Sequence, residues 1–195
     1  MAKANIRSNP YGDQPVIHES AYIDPTAIII GKVIIHEEVF VGPYAVIRAD
    51  ELNEHGEMAP IEIGAKSNIQ DAVVIHSKSG GKVQIGENTS IAHSSIVHGP
   101  CTLGNGVFVG FNSVVFSAII QDNCCIGHAV MVSDVTMPSG RSSGDHGRIT
   151  AKTDLSTLPE ASSHDLAFAQ DVAVTNVGLV KGYQKVLGEN KQKDQ

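Results

Sequence analysis

The chain is 195 residues long, 42% hydrophobic but only 5% aromatic, and has no tryptophan, which predicts one domain with a thin core of Val and Ile. A formal net charge of −7 argues against nucleic acid and anionic membrane as partners, and no run of about 18 apolar residues offers a membrane span. Three cysteines, with Cys124 and Cys125 adjacent, make no disulfide framework; read as buried reduced thiols, and with no signal peptide in the N-terminal residues, they predict a cytoplasmic protein.

In chain order, residues 1 to about 20 are polar, contain Pro10 and Pro15, and predict an irregular lead-in. An aliphatic residue then returns at every sixth position, at Ile29, Ile35, Val41 and Ile47, with Val33, Val39 and Ala45 four places after the first three. Residues 52–60 interrupt with charge, Gly56 and Pro60, which predicts an extruded loop. The register resumes at Ile63, Ile69 and Ile75, breaks briefly over 77–82, and then runs without a miss through Ile85, Ile91, Val97, Leu103, Val109 and Val115. Four places after the first five of these stand Thr89, Ser95, Cys101, Val107 and Ser113, and Gly86, Gly104 and Gly110 directly follow three of them. After Val115 the spacing slips by one to Ile120, then continues to Ile126 and Val132 before a Gly- and Ser-rich stretch over 136–148.

A period of six fits neither the roughly 3.6 of a helix nor the 2 of a strand. It is the mark of a coil with flat faces and tight corners: the aliphatic residue fills the interior, the compact one fits near a corner, and glycine relieves backbone strain. From Ser162 the pattern changes to helical spacing at Leu166, Ala169, Ala173, Asn176, Val177, Val180 and Leu187, with Ser162 or Ser163 as N-cap and Gly188 as stop. The organisation predicted for 1–195 is therefore a single domain: a coil over about 16–150, a helix over about 162–188 packed along it, and a polar tail over 189–195.

Closing the coil with three strands per turn, and counting the two loops as insertions within single steps, sorts the repeat into columns. Column one stacks Ile47, Ile75 and Val97, each followed by Arg48, His76 and His98. Stacked strands lie about 4.8 Å apart, so His76 and His98 emerge side by side, close enough for both to reach one ion at about 2.0–2.1 Å. Column three stacks Ile69 and Ile91, and two residues on from these are Asp71 and His93. His93 thus leaves the prism elsewhere and does not complete the pair's site within one chain. In a ring of three prisms column one of a chain can face column three of the next, which predicts a metal at a subunit interface and a closed cyclic oligomer. The alternative stays open at this point, since most histidines in a chain with nine of them are surface or hydrogen-bonded residues.

The segments Ile47-Arg-Ala-Asp-Glu51, Ser67-Asn-Ile-Gln-Asp71, Val74-Ile-His76 and His93-Ser-Ser-Ile-Val-His-Gly-Pro100 carry more than hexapeptide periodicity. On them, and over about 16–183, the chain resembles the gamma-class carbonic anhydrases. The resemblance implies a mainly β fold, a left-handed parallel β-helix with a C-terminal α-helix, assembled as a homotrimer. It implies a Zn2+ ion, with Fe2+ or Co2+ as alternatives, held by His76 and His98 of one subunit and His93 of the next. The implied reaction is reversible hydration of CO2 to bicarbonate by a metal-bound hydroxide. By the same resemblance Glu51 and Gln70 flank the bound water, Asn176 flanks the substrate, and Arg48 and Asp50 tie subunits together, with Asp71 holding Arg48.

The chain departs from the family prototype in three places. Ser77-Lys-Ser-Gly-Gly81 lacks the acidic loop whose glutamate relays protons, a helical tyrosine is replaced by Val174, and Arg141-Ser-Ser-Gly-Asp-His146 breaks the end pattern. These place the sequence with the shorter branch that lacks the acidic loop. Two other functions compete. A hexapeptide acyltransferase using CoA needs only one general-base histidine, and a non-catalytic metal-binding scaffold of the same family needs no turnover.

Overall fold

The structure, a computed structural model, describes residues 5–193. The six-residue steps fold into three flat sheets of parallel strands, which wind as a left-handed β-helix of about seven turns followed by one helix. Each rung is too short to bury an apolar face alone, and stacking joins the rungs into a continuous core. Among the described residues the first face carries eight strands, the second seven and the third six. The register matches the column count: Ile29, Ile47, Ile75 and Val97 pair in series on the first face, Ile35, Ile63, Ile85 and Leu103 on the second, and Val41, Ile69, Ile91 and Val109 on the third. All of these side chains are buried. The two insertions leave the coil where predicted, between strands Val46–Ala49 and Ile61–Ile63 and between Val74–Ser77 and Val83–Ile85.

The compact residues do more at the corners than fit. Ser67, Thr89, Ser95 and Ser113 donate their hydroxyls to the carbonyls of Gly86, Gly104, Gly110 and Gly127, at 2.7–2.8 Å. The same oxygens accept backbone N–H groups of Thr89, Val107, Ser113 and Val130, so a hydroxyl ladder satisfies corner groups that no strand partner reaches. The expected role of glycine is corrected here. Positive φ at the corners is taken by residues such as Asn88, Ser94 and Asn112, whereas Gly86 and Gly110 do not adopt it. What those glycines allow is close approach of rungs: a Cβ on Gly86 would stand 2.6 Å from the Gly104 carbonyl oxygen, and one on Gly110 would stand 2.5 Å from that of Gly127.

Two boundaries differ from expectation. Strand Val16–Ile17 pairs with Val33–Ile35 at the expected start of the coil, but strand Asn5–Arg7 already pairs with Ile28–Gly31, within the expected lead-in. The helix runs Ser163–Lys193 and passes through Gly188, because in a continuing helix glycine is a modest propensity loss and not a stop. Residues 189–193 are thus helical, and 194–195 lie outside the described residues. Its start is a capping box: Ser162 Oγ accepts the Asp165 N–H at 3.1 Å, and Asp165 Oδ2 accepts the Ser162 N–H at 2.9 Å. The helix descends the third face, burying Ala169, Ala173, Asn176 and Val180, while Leu166 and Leu187 stay exposed because the contact stripe is narrow. Low down, Tyr183 stacks on Tyr22 at 4.4 Å.

Candidate metal centre

His76 and His98 lie on adjacent strands as direct partners, with Arg48 opposite His76 on the rung below. His76 Nδ1 stands 3.3 Å from His98 Nε2. His98 Nδ1 lies 3.2 Å from the Gly99 carbonyl, which holds a proton on that nitrogen and leaves Nε2 with a lone pair. His76 Nε2 is buried without a hydrogen-bond partner, with Glu51 Oε1 at 3.3 Å and Asp50 Oδ1 at 3.4 Å. Burial, and after it the Arg48 charge, holds the His76 pKa below the ordinary histidine value against the opposing pull of Glu51 and Asp50. A neutral imidazole is what a metal ligand requires. Two nitrogens at this separation match two donors on one tetrahedral ion at about 2.0–2.1 Å, so His76 Nδ1 and His98 Nε2 fit a divalent cation, with His76 Nε2 left to face the Glu51 and Asp50 carboxylates.

Around this pair stand three other predicted residues. Arg48 Nη1 donates to both carboxylate oxygens of Asp50, at 2.7 and 2.8 Å. Glu51 is half-exposed beside His76, and its backbone carbonyl accepts the Gly80 N–H at 3.0 Å, which draws the two insertion loops together at the rim. The remaining predicted residues form a second group at the corner leaving the third face. His93 Nδ1 lies 3.5 Å from Asp71 Oδ2, and within one chain Asp71 meets His93 and not Arg48. Gln70, His93 and Asn176 share a cavity of about 270 Å³ walled by Phe108, Phe111 and Phe168. Gln70 is buried, its Nε2 donating to Asn68 Oδ1 at 3.1 Å, and Asn68 Nδ2 donates to Ser90 Oγ at 2.7 Å. Asn176 is held on the helix by a 2.9 Å bond from Nδ2 to the Val172 carbonyl.

The two groups do not meet in one chain: among the described residues no three His, Cys, Asp or Glu side chains converge as a metal site. A larger cavity of about 500 Å³, near Lys82, Pro100 and Asp134, contains none of the predicted residues, and chemistry outweighs size in locating the site. Sequence reasoning passed over Phe108, Phe111 and Phe168. The same count that puts Asp71 and His93 two places past Ile69 and Ile91 puts Phe111 two past Val109, and would have found it.

The family profile described as bacterial transferase hexapeptide (six repeats) matches residues 14–49 and 82–117. A carbonic anhydrase of Methanosarcina thermophila is 35% identical over 210 residues, covering 93% of this chain and 82% of that protein. The carboxysome assembly protein CcmM of a Nostoc species is 35% identical over 177 residues, 86% of this chain but only 31% of that protein. Among solved structures, a hexapeptide transferase family protein from Anaplasma phagocytophilum superposes with a TM-score of 0.77 at 27% identity, over 94% of this chain and 99% of that one.

Proposed function

The chain belongs to the gamma-class carbonic anhydrases, and from that membership we propose that it hydrates CO2 reversibly at a metal ion shared between subunits of a trimer. The observation that carries the reading is the division of three histidines between two faces, a stacked pair on one and His93 at the corner of another. His76 and His98 of one subunit and His93 of the next would hold the ion, Zn2+ or, by availability, Fe2+ or Co2+. When bound, the ion supplies the Lewis acidity that makes water nucleophilic at neutral pH and takes up the charge developing on bicarbonate.

The chain's own residues supply the rest. The bond series Ser90–Asn68–Gln70 engages one N–H of the Gln70 amide and fixes the orientation of that amide, leaving its Oε1 as an acceptor that orients the attacking water. Three phenylalanine rings make the cavity apolar enough for CO2, with Asn176 as a polar edge. Glu51, beside His76 and half-exposed, takes the proton released as water and CO2 become bicarbonate and passes it to solvent. Asp71 of one subunit reaching Arg48 of the next would fasten the same interface.

Metal analysis and stopped-flow CO2 hydration on protein purified without air test the proposal. Near one ion per chain with hydration activity supports it, and zinc-loaded protein without hydration refutes it. The likeness to a hexapeptide transferase family structure favours acyl transfer as the competing reading, but that reading leaves the stacked pair unused. Turnover of acyl-CoA by the trimer is its test, and metal loading without either activity leaves the scaffold.

A further inference from the structure

Two places past Ile69, Ile91, Val109 and Ile126 on the third face, and past Ser143 on the next turn, a column of side chains climbs the corner: Asp71, His93, Phe111, His128 and Asp145. Its three rings lie face to face. His93 is 5.4 Å from Phe111 with 27° between planes, and Phe111 is 4.6 Å from His128 with 16° between planes. The upper ring is pinned by its Nδ1, which accepts the Phe111 backbone N–H at 3.0 Å, and the His128 backbone N–H donates to Asp145 Oδ1 at 2.7 Å. Gly110 permits the approach, because a Cβ there would stand 2.8 Å from His128 Nδ1. His93 itself is loosely placed otherwise. Its side chain is 49% exposed and its charged neighbour is Asp71 at 3.5 Å, whereas the His76 side chain is 9% exposed and enclosed by strands.

We infer that Phe111 and His128 are positioning residues for His93. The stack restricts the imidazole to one rotamer, so the ligand offered to a neighbouring subunit is ordered before metal arrives, and binding does not bear that entropy cost. The inference rests on the reading of His93 as a ligand. Phe111 also walls the cavity proposed for CO2, but its effect on metal binding, like that of His128, passes through the ring they hold.

The test uses the full chain, metal-free and zinc-loaded. In metal-free protein the His93 ring protons are shifted upfield by the Phe111 ring, and Phe111→Leu, which keeps apolar bulk without a ring, abolishes that shift in histidine-labelled NMR spectra. In chelator competition Phe111→Leu raises the Kd for Zn2+ about tenfold and alters the visible spectrum of the Co2+-loaded protein, while Phe111→Tyr restores both. His128→Gln keeps an acceptor for the Phe111 N–H but removes the upper ring, and raises the Kd about threefold. An unshifted His93 in the unmodified protein overturns the inference, as does a Phe111→Leu Kd within twofold of the original with an unchanged Co2+ spectrum. If Phe111→Leu does not fold, unchanged zinc affinity in His128→Gln overturns it instead. If His93→Ala retains zinc, the ligand reading fails and this inference with it. If His93→Ala loses zinc while the stack variants bind normally, the stack alone is refuted.

Discussion

Asn68 links the fold of the third face to the chemistry proposed for it. It is fully buried, gives one hydrogen bond to Ser90 Oγ and takes one from Gln70 Nε2, and is not itself part of the cavity lining. Asn68→Ala removes both bonds and strands the Gln70 amide in a buried place. Two bonds at about 0.5–1.5 kcal/mol each, with the desolvation of the orphaned groups, set the loss near 2 kcal/mol. For a chain of this size that lowers Tm by roughly 4–8 °C. The freed Gln70 amide can also turn over and offer its nitrogen where water needs an acceptor. Loss of one hydrogen bond to the transition state, about 1.4 kcal/mol, lowers kcat by up to about tenfold. Zinc content should not change. Thermal melts at one protein concentration and stopped-flow hydration of the zinc-loaded variant measure both effects. A Tm within about 1 °C of the original refutes the buried network. A lowered Tm with unchanged kcat refutes the role given to Gln70.

His76→Ala, His93→Ala and His98→Ala should each abolish metal retention, whereas His18→Ala and His36→Ala, on the second face, should leave it intact; equal damage from both sets would overturn the ligand assignment. Light scattering with metal counting should give three chains and up to three ions, and a metal-loaded monomer would refute the interface geometry. With no carboxylate in Ser77-Lys-Ser-Gly-Gly81, kcat should rise with imidazole buffer while kcat/KM barely moves, and Ser79→Glu, whose backbone N–H lies 3.4 Å from Glu51 Oε2, should lessen that dependence; a high kcat flat across buffer concentration would reveal another proton route. Burial, then the Asp24 charge and Tyr183, push the Tyr22 phenol from 10.0 up to about 12. Because the folded value is the higher one, this contribution to stability is complete below pH 10 and disappears as pH rises through about 12. Tyr22→Phe should remove that alkaline loss in pH-dependent melts, and an unchanged profile would show that Tyr22 is not its source.

The period of six, closed at three strands per turn with the two loops counted as insertions, determined which residues share a column, because each interior aliphatic must meet its counterpart one turn on or leave a void. From that followed the pairing of His76 with His98 and the separation of both from His93. What the period could not reach lay where its physical cause is absent. Among the described residues, strand Asn5–Arg7 has a rung on one side only, so its Ile6 remains 44% exposed and leaves no repeat signature. Gly86 and Gly110 look like turn residues in sequence, and only the distance between stacked rungs shows that they make room for a carbonyl. Serine and threonine at the corners look merely small until their hydroxyls are seen to satisfy those carbonyls. The stack of His93, Phe111 and His128 and the cavity beneath the helix were decided by tertiary structure alone. Ring tilt and the line along which a helix settles depend on side-chain packing across rungs 17–22 residues apart, which a one-dimensional repeat does not encode.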